Sequence, residues 1–461
     1  MRSRLLAAIF LAVTVHGDSP DSRGKVRENG TVPLALPKGT GPCSRLARGR
    51  RRSINRPKNG PVPRERLLLT LVAHADRAVS DATAAEGTRH GETLVRPPTA
   101  NGAPASPRDL SALIAPIVER HDLPGMVAAV IEGEEVVGLG AAGVRRKGSP
   151  EKVTVDDRFH IGSCTKSMTA TLCAMLVEEG KLSWETTLGA AFPELAESMR
   201  PEYRAVTLEQ LLAHRAGMPG NVDRGVLYWQ LRRLVATPTE DRQSLLEGTV
   251  AKPPASEPGT KFLYSNTGYV AAGHMAERAT GKAWEDLMRA RVFDPLGMTT
   301  AGFGAPGRPD VVDQPCGHGA SGHPVEPGPL ADNPPVIGPA GTVHCSIRDW
   351  AKYIALHLRG AQGDAKRLEP ATFTRLHTPV GDEPPRCALG WGVAQRDWGG
   401  GDVLTHAGSN TMWFAVTWVA PRRDFAVLVA SNQGGDAAEK ACDEAAAALI
   451  RDRSARQQAS R

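Results

Sequence analysis

The chain has 461 residues and a formal net charge of +6, enough length for one large domain or two ordinary ones. The charge is uneven: residues 1–105 hold 18 Lys+Arg against 8 Asp+Glu, which leaves 38 against 42 for the remainder. The basic excess therefore belongs to the N-terminal tail, so the high pI gives no ground for reading the main domain as a nucleic-acid binder.

Met1-Arg2-Ser3-Arg4 followed by the apolar run Leu5 to Val15 reads as a secretory signal over residues 1–17. The run is too short for a membrane span. The expected location is outside the cytoplasm, periplasmic or secreted. Arg64 to Ala75 has the same outline and ends in Ala-x-Ala, so two readings stand: a start further downstream, or an apolar patch in a tail. Residues 18–105 are rich in Arg, Pro, Gly, Ser and Thr, a composition that buries little apolar surface, and they are expected to form a basic disordered linker.

Order is expected over 106–455. Ser106 to Asp109 opens a helix through Leu110, Leu113, Ile114, Ile117 and Val118. Met126–Ile131 and Val136–Leu139, joined by Glu132-Gly133-Glu134-Glu135, predict a hairpin. Helices follow at Leu208–His214, Arg224–Ala236, Tyr269–Thr280, Ala283–Val292 and Asp349–Leu358. Residues 303–337 form a Gly/Pro-rich loop, long enough to suggest a function. Its His318 and His323 have no paired carboxylate or Cys, so no metal site is expected. Strands at Ala388–Val393, Asp402–Thr405, Ala415–Val419 and Phe425–Ala430 form a meander, and Ala437–Arg451 is a closing helix. This order predicts a sheet assembled from both chain ends with a helical region inserted. The seven cysteines, at 43, 164, 173, 316, 345, 387 and 442, make no zinc spacing and specify no disulfide framework. Cys164 and Cys173 read as small core residues.

The chemistry centres on Ser163-Cys164-Thr165-Lys166. Met168, Leu172, Met175 and Leu176 give a helical apolar rhythm that should stop at Gly180. Ser163 and Lys166 then lie one turn apart, where an amine reaches the hydroxyl. A lysine among apolar neighbours can serve a serine as base or proton relay. Tyr264-Ser265-Asn266 supplies a phenol and an amide from a loop before a helix. Tyr264 beside a cation suits general acid–base work, and Asn266 suits orienting Lys166 and donating to a substrate carbonyl. His406-Ala407-Gly408-Ser409 ends a strand, where small residues let substrate lie along the edge. The backbone N–H groups of Ser163 and Ser409 are the candidate oxyanion donors.

In the order Ser-x-x-Lys, Tyr-x-Asn, His-x-Gly, these segments resemble the penicillin-recognising serine hydrolases, in particular the class C β-lactamase, D-Ala-D-Ala-peptidase and esterase branch. Leu123-Pro124-Gly125-Met126, Phe192-Pro193-Glu194-Leu195, Leu211 to Pro219, Asp294 to Met298 and Pro339-Ala340-Gly341 resemble it too, and the likeness spans about residues 106–450. It implies an α/β (α+β) sandwich: a mixed antiparallel sheet flanked by helices, plus an all-helical subdomain, with the site between them. It also implies an acyl-enzyme serine hydrolase acting on a small-molecule or peptide ester or amide, with no cofactor. The alternative is a non-catalytic cell-wall or penicillin-binding module of the same fold. One departure is the His406 triplet, where many relatives carry Lys-Thr-Gly. It leads to the expectation that a His406 gaining charge toward pH 6 tunes carboxylate binding, with neutral acyl substrates favoured. Trp413 is expected to narrow the cleft, and His214 to be a turn partner.

Overall fold

A computed structural model describes residues 106–221, 236–363 and 367–460. The expected signal, the tail, Cys43 and nearly all of the Arg224–Ala236 helix lie outside the described residues.

The strands are β1 (Arg108–Asp109), β2 (Gly125–Glu132), β3 (Glu135–Gly143), β4 (Arg158–His160), β5 (Gly302–Phe303), β6 (Gly317–His318), β7 (Pro324–Val325), β8 (Val343–Ser346), β9 (Gly392–Arg396), β10 (Gly401–Ser409), β11 (Phe414–Ala420) and β12 (Phe425–Ser431). Seven of them form one mixed sheet in the order β1-β3-β2-β12-β11-β10-β9. Only the β1–β3 pairing in it is parallel. The two chain ends meet where β2 pairs β12, with Val130 opposite Val427 and Ala128 opposite Val429.

Both faces of these central strands are buried, and the period-2 alternation of side chains sorts them into two cores. Met126, Ala128 and Val130 with Val427 and Val429 face one side, where they meet α1 (Ser111–Arg120) and α6 (Asp436–Ala459). Ala438, Ala441 and Ala445 let α6 lie close on that face. Val127, Ala129, Ile131, Leu428 and Ala430 face the other core, shared with α2 (Thr165–Glu178) and α5 (Ile347–Ala361). Helices on both faces of the sheet give the expected sandwich.

The described residues between β4 and β5 are rich in helix. They include Leu208–Leu212, α3 (Pro238–Val250) and α4 (Asn266–Thr280). Thr207 with Gln210 and Thr237 with Glu240 form reciprocal capping boxes that fix where the first two start. Ser265 caps α4, its hydroxyl accepting from Gly268 N.

The helix after Ser163 ends at Glu178, close to the expected stop. Every residue from Thr165 to Leu176 is buried, so the core packing expected from its apolar rhythm extends around the helix. Its polar residues are bonded inward. Thr169 Oγ1 donates to Pro339 O at 2.8 Å and Ser167 Oγ to Cys164 O at 2.9 Å. A helix covered on all sides sits at the centre of the molecule.

Candidate active site

Ser163 lies in a single 3-10 turn, Gly162–Cys164, that opens directly into α2. It is half-buried, whereas its neighbours Gly162, Cys164 and Lys166 are buried. Lys166 Nζ stands 3.0 Å from Ser163 Oγ and 2.6 Å from Ala340 O. The carbonyl belongs to the short Gly338–Gly341 helix, which is fixed to α2 by the Thr169–Pro339 bond. Lys166 Nζ also lies 4.9 Å from the centroid of the Tyr264 ring and 5.6 Å from that of Tyr269. The lysine is fully buried, among aromatic faces that attract a cation and beside a hydroxyl that can pass it a proton.

The strand end of β10 closes the other side. At Gly408 an added Cβ would stand 2.0 Å from Ile161 O and 2.5 Å from Ser163 N. At Gly162, whose φ is +52°, a Cβ would stand 2.4 Å from Ser409 N. These approaches admit no side chain at either position. They press Gly408 against the backbone of Ile161 and Ser163, and Ser409 N against Gly162.

Tyr264 is placed by His214. The imidazole ring packs against Tyr264 with centroids 4.4 Å apart and planes tilted by 31°, and its Nδ1 accepts from Ser265 N at 3.0 Å. His214 O accepts from Leu263 N, so both sides of the residue hold the 263–265 loop. Burial, then the nearby Lys166 charge, push the His214 pKa well below the usual histidine range, so it stays neutral. The turn-partner reading of His214 agrees with this. Asn266 sits in the first turn of α4, and its Nδ2 donates to Asn221 Oδ1 at 2.7 Å. That bond holds the amide against the 220–221 turn.

Two expectations change. His406 is buried, with Nδ1 2.8 Å from Ala407 O. Burial first, and then the charge of Lys166, push its pKa down to about 3. It is therefore neutral throughout the physiological range and is no switch near pH 6. Sequence could not show this, because the depression comes from burial beside a cation distant in the chain. Trp413 is likewise buried, edge-on to Phe159 with centroids 5.6 Å apart, and belongs to the core rather than to the cleft.

The site includes groups whose role was not legible in the sequence. Ala340 supplies the carbonyl under Lys166, although its triplet had been noted for its likeness. His160, Asp332 and Asn410 form a buried polar chain behind the serine loop. His318 is satisfied by Asn432 O at 2.7 Å and Lys147 N at 3.0 Å, as a structural histidine is. Among the described residues no group of His, Cys, Asp and Glu is arranged to hold a metal.

The beta-lactamase family model matches residues 110–451. The chain belongs to the beta-lactamase family. It is accordingly a serine hydrolase of β-lactamase-related type, with the fold expected from its sequence. Penicillin-binding protein 4 of Amycolatopsis lactamdurans is 30% identical over 305 residues, covering 64% of this chain and 77% of that protein. Lovastatin esterase of Penicillium rubens is 32% identical over 170 residues, 34% of this chain and 42% of the esterase. Unguisins hydrolase ungD' of Aspergillus campestris is 27% identical over 303 residues, 61% of this chain and 53% of that protein, so the likeness spans about half of its length. In fold, the octameric penicillin-binding protein homologue from Pyrococcus abyssi superposes with a TM-score of 0.61 at 23% identity, covering 74% of this chain and 76% of that one. The D-alanine carboxypeptidase AmpC from Burkholderia cenocepacia gives 0.58 at 22% identity, covering 73% and 96%. No helix among the described residues is long and apolar enough to cross a membrane.

Proposed function

We propose that the protein is an exported hydrolase that cleaves neutral esters or amides through an acyl-enzyme on Ser163. The observation that carries the reading is Lys166 Nζ, 3.0 Å from Ser163 Oγ, directly beneath the strand end where Gly408 and Ser409 press on the serine turn. Ser163 Oγ bonds to the substrate carbonyl carbon as its proton passes to the Lys166–Tyr264 pair. The carbonyl oxygen takes the negative charge between the N–H groups of Ser163 and Ser409, where fixed dipoles stabilise it without reorganising. The leaving group takes the proton and departs. Water, deprotonated by the same pair, then attacks the acyl carbon and frees Ser163.

The preference for neutral substrates rests on His406. A lysine at this place would present a permanent cation to a substrate carboxylate, whereas a buried imidazole with a pKa of about 3 presents none at neutral pH. The relatives span a penicillin-binding protein and an esterase, and the neutral His406 favours the esterase side. Treatment of the pure protein with a fluorescent fluorophosphonate, followed by peptide mapping, tests the reading. The adduct is expected on the peptide containing Ser163, with competition from short-chain esters and weak competition from penicillins. Failure to label Ser163 in folded protein refutes it, and so does penicillin turnover outpacing ester turnover.

A further inference from the structure

We infer that His160, Asp332 and Asn410 are positioning residues that hold the two oxyanion-donor segments in register and so set the reaction rate without touching substrate. The inference rests on the acyl-enzyme reading above.

The chain starts one residue before the serine. Gly162 has a left-handed backbone, and its N–H donates to His160 Nδ1 at 3.0 Å. That bond leaves Nδ1 as the acceptor, and Nε2 on the other side of the ring lies 2.8 Å from Asp332 Oδ1, at ion-pair distance. The same oxygen accepts from Asn410 Nδ2 at 2.9 Å and from Asn333 N at 2.6 Å. Asn410 Oδ1 in turn accepts from Met412 N at 3.2 Å, which fixes the turn that ends β10. One end of the chain thus holds the residue before Ser163, and the other is the residue after Ser409.

Burial makes these bonds rigid. His160 is fully buried and Asp332 and Asn410 nearly so, which keeps the network out of water. The backbone of His160 is itself pinned, paired with His344 across β4 and β8. The imidazole accepts from Gly162 N–H on Nδ1 and sets Nε2 against the carboxylate, so a single side chain spans from the Gly162 peptide to Asp332. The next residue of the long loop, Asn333, donates through Nδ2 to Gly341 O at 2.8 Å, beside the Ala340 carbonyl that holds Lys166. The 303–337 loop thereby braces both the oxyanion segments and the lysine. Contact alone sets only how closely Gly162 and Gly408 approach. The polar chain also resists sliding of one segment along the other, and a displacement of about 1 Å is enough to cost roughly 100-fold in rate.

The test uses full-length His160→Ala, His160→Asn, Asp332→Asn and Asn410→Ala with a neutral aryl ester. It reads kcat, KM, melting temperature and inhibition by a trifluoromethyl ketone of the same acyl chain, whose tetrahedral adduct places an oxyanion between the donors. His160→Ala and Asp332→Asn are expected to lose roughly 10- to 100-fold in kcat with KM within about threefold, and ketone affinity should fall in step with kcat/KM. His160→Asn retains an acceptor for Gly162 N–H and should recover part of the loss. The His160→Asn/Asp332→Asn double variant should be less than additive, as for members of one network. A kcat within about twofold of wild type in folded variants overturns the inference. So does a lowered kcat with unchanged ketone affinity. Amide-hydrogen exchange is read in parallel and needs no activity: Asp332→Asn should speed exchange of the 160–163 and 408–412 peptides together. If wild type fails to label at Ser163 yet this joint loosening is seen, the acyl-enzyme reading fails and the tether stands. Unchanged exchange removes the tether itself. A variant that does not fold leaves the remaining three to decide by the same readouts.

Discussion

At the scale of single residues, the site depends on small atomic clearances. Ser163→Ala is expected to lower hydrolysis of an activated ester at least roughly a thousandfold, the loss seen when a nucleophile is taken from a catalytic unit. Steady-state kinetics on a folded variant checks this, and retained turnover would move the nucleophile elsewhere. Gly408→Ala forces a Cβ to within 2.0 Å of Ile161 O, so the strand end must shift away from Ser163. Its expected signature is a fall in kcat with native-like circular dichroism. His406 carries a pH claim. With its pKa pushed to about 3, chiefly by burial, it does not titrate near neutrality. The ratio of kcat/KM for an anionic ester to that for a matched neutral ester should therefore stay flat from pH 8 to about pH 6, where an ordinary imidazole would be more than half protonated. A rise in that ratio at the acid end, abolished in His406→Gln, would show that the ring is charged.

At the scale of elements, one buried ion network ties the helical region to the site. Arg242, fully buried on α3, meets Glu277 at the end of α4 and Glu285 beyond it. It also donates to Val336 O and Pro335 O, in the segment that leads to Ala340. Burial alone would raise the Glu277 pKa, but the His274 hydrogen bond and the Arg242 charge bring it below the ordinary value. Replacing only the cation therefore strands two carboxylates. Arg242→Met should cost about 3–5 kcal/mol in urea unfolding, the usual penalty for breaking a buried pair from one side. A loss below about 1 kcal/mol would mean that the carboxylates find water or protons.

At the scale of the whole molecule, buried histidines govern acid stability. Burial, the largest cause in each case, lowers His344 to about 4 and His377 and His406 to about 3, and takes His214 and His357 well below the usual value. The unfolded chain binds these protons near pH 6.5 and the folded chain does not, so stability falls as pH drops below 6.5. Each such histidine contributes up to about 1.4 kcal/mol per pH unit in that window. Asp241 works the other way, since burial raises it to about 6. Urea midpoints at neutral pH and at about pH 5 should show a steep net loss, and equal midpoints would contradict the assignment. The domain boundaries make a second claim. A chain beginning at residue 104 should unfold cooperatively and hydrolyse esters as well as the full chain, because the family match begins at residue 110 and the charge balance reverses near there. Loss of cooperative unfolding would place part of the tail in the core.

The amino-acid sequence by itself determined what depends on local order along the chain. Ser163 and Lys166 are three residues apart at a helix start, and a helix alone brings them within reach. The short apolar, β-rich runs Met126–Ile131 and Phe425–Ala430 specified strands, and the segment order specified a sheet built from both ends. Only the tertiary structure decided what depends on residues far apart in sequence. Ala340 reaches Lys166 across 174 positions and Asp332 reaches Asn410 across 78, so neither partnership leaves a periodic trace. Trp413 and His406 looked like groups facing a cleft because residue type gives polarity but not depth. Once the strand end is packed against the serine turn, the tryptophan becomes core. The histidine, desolvated by burial and set near the Lys166 charge, stays neutral.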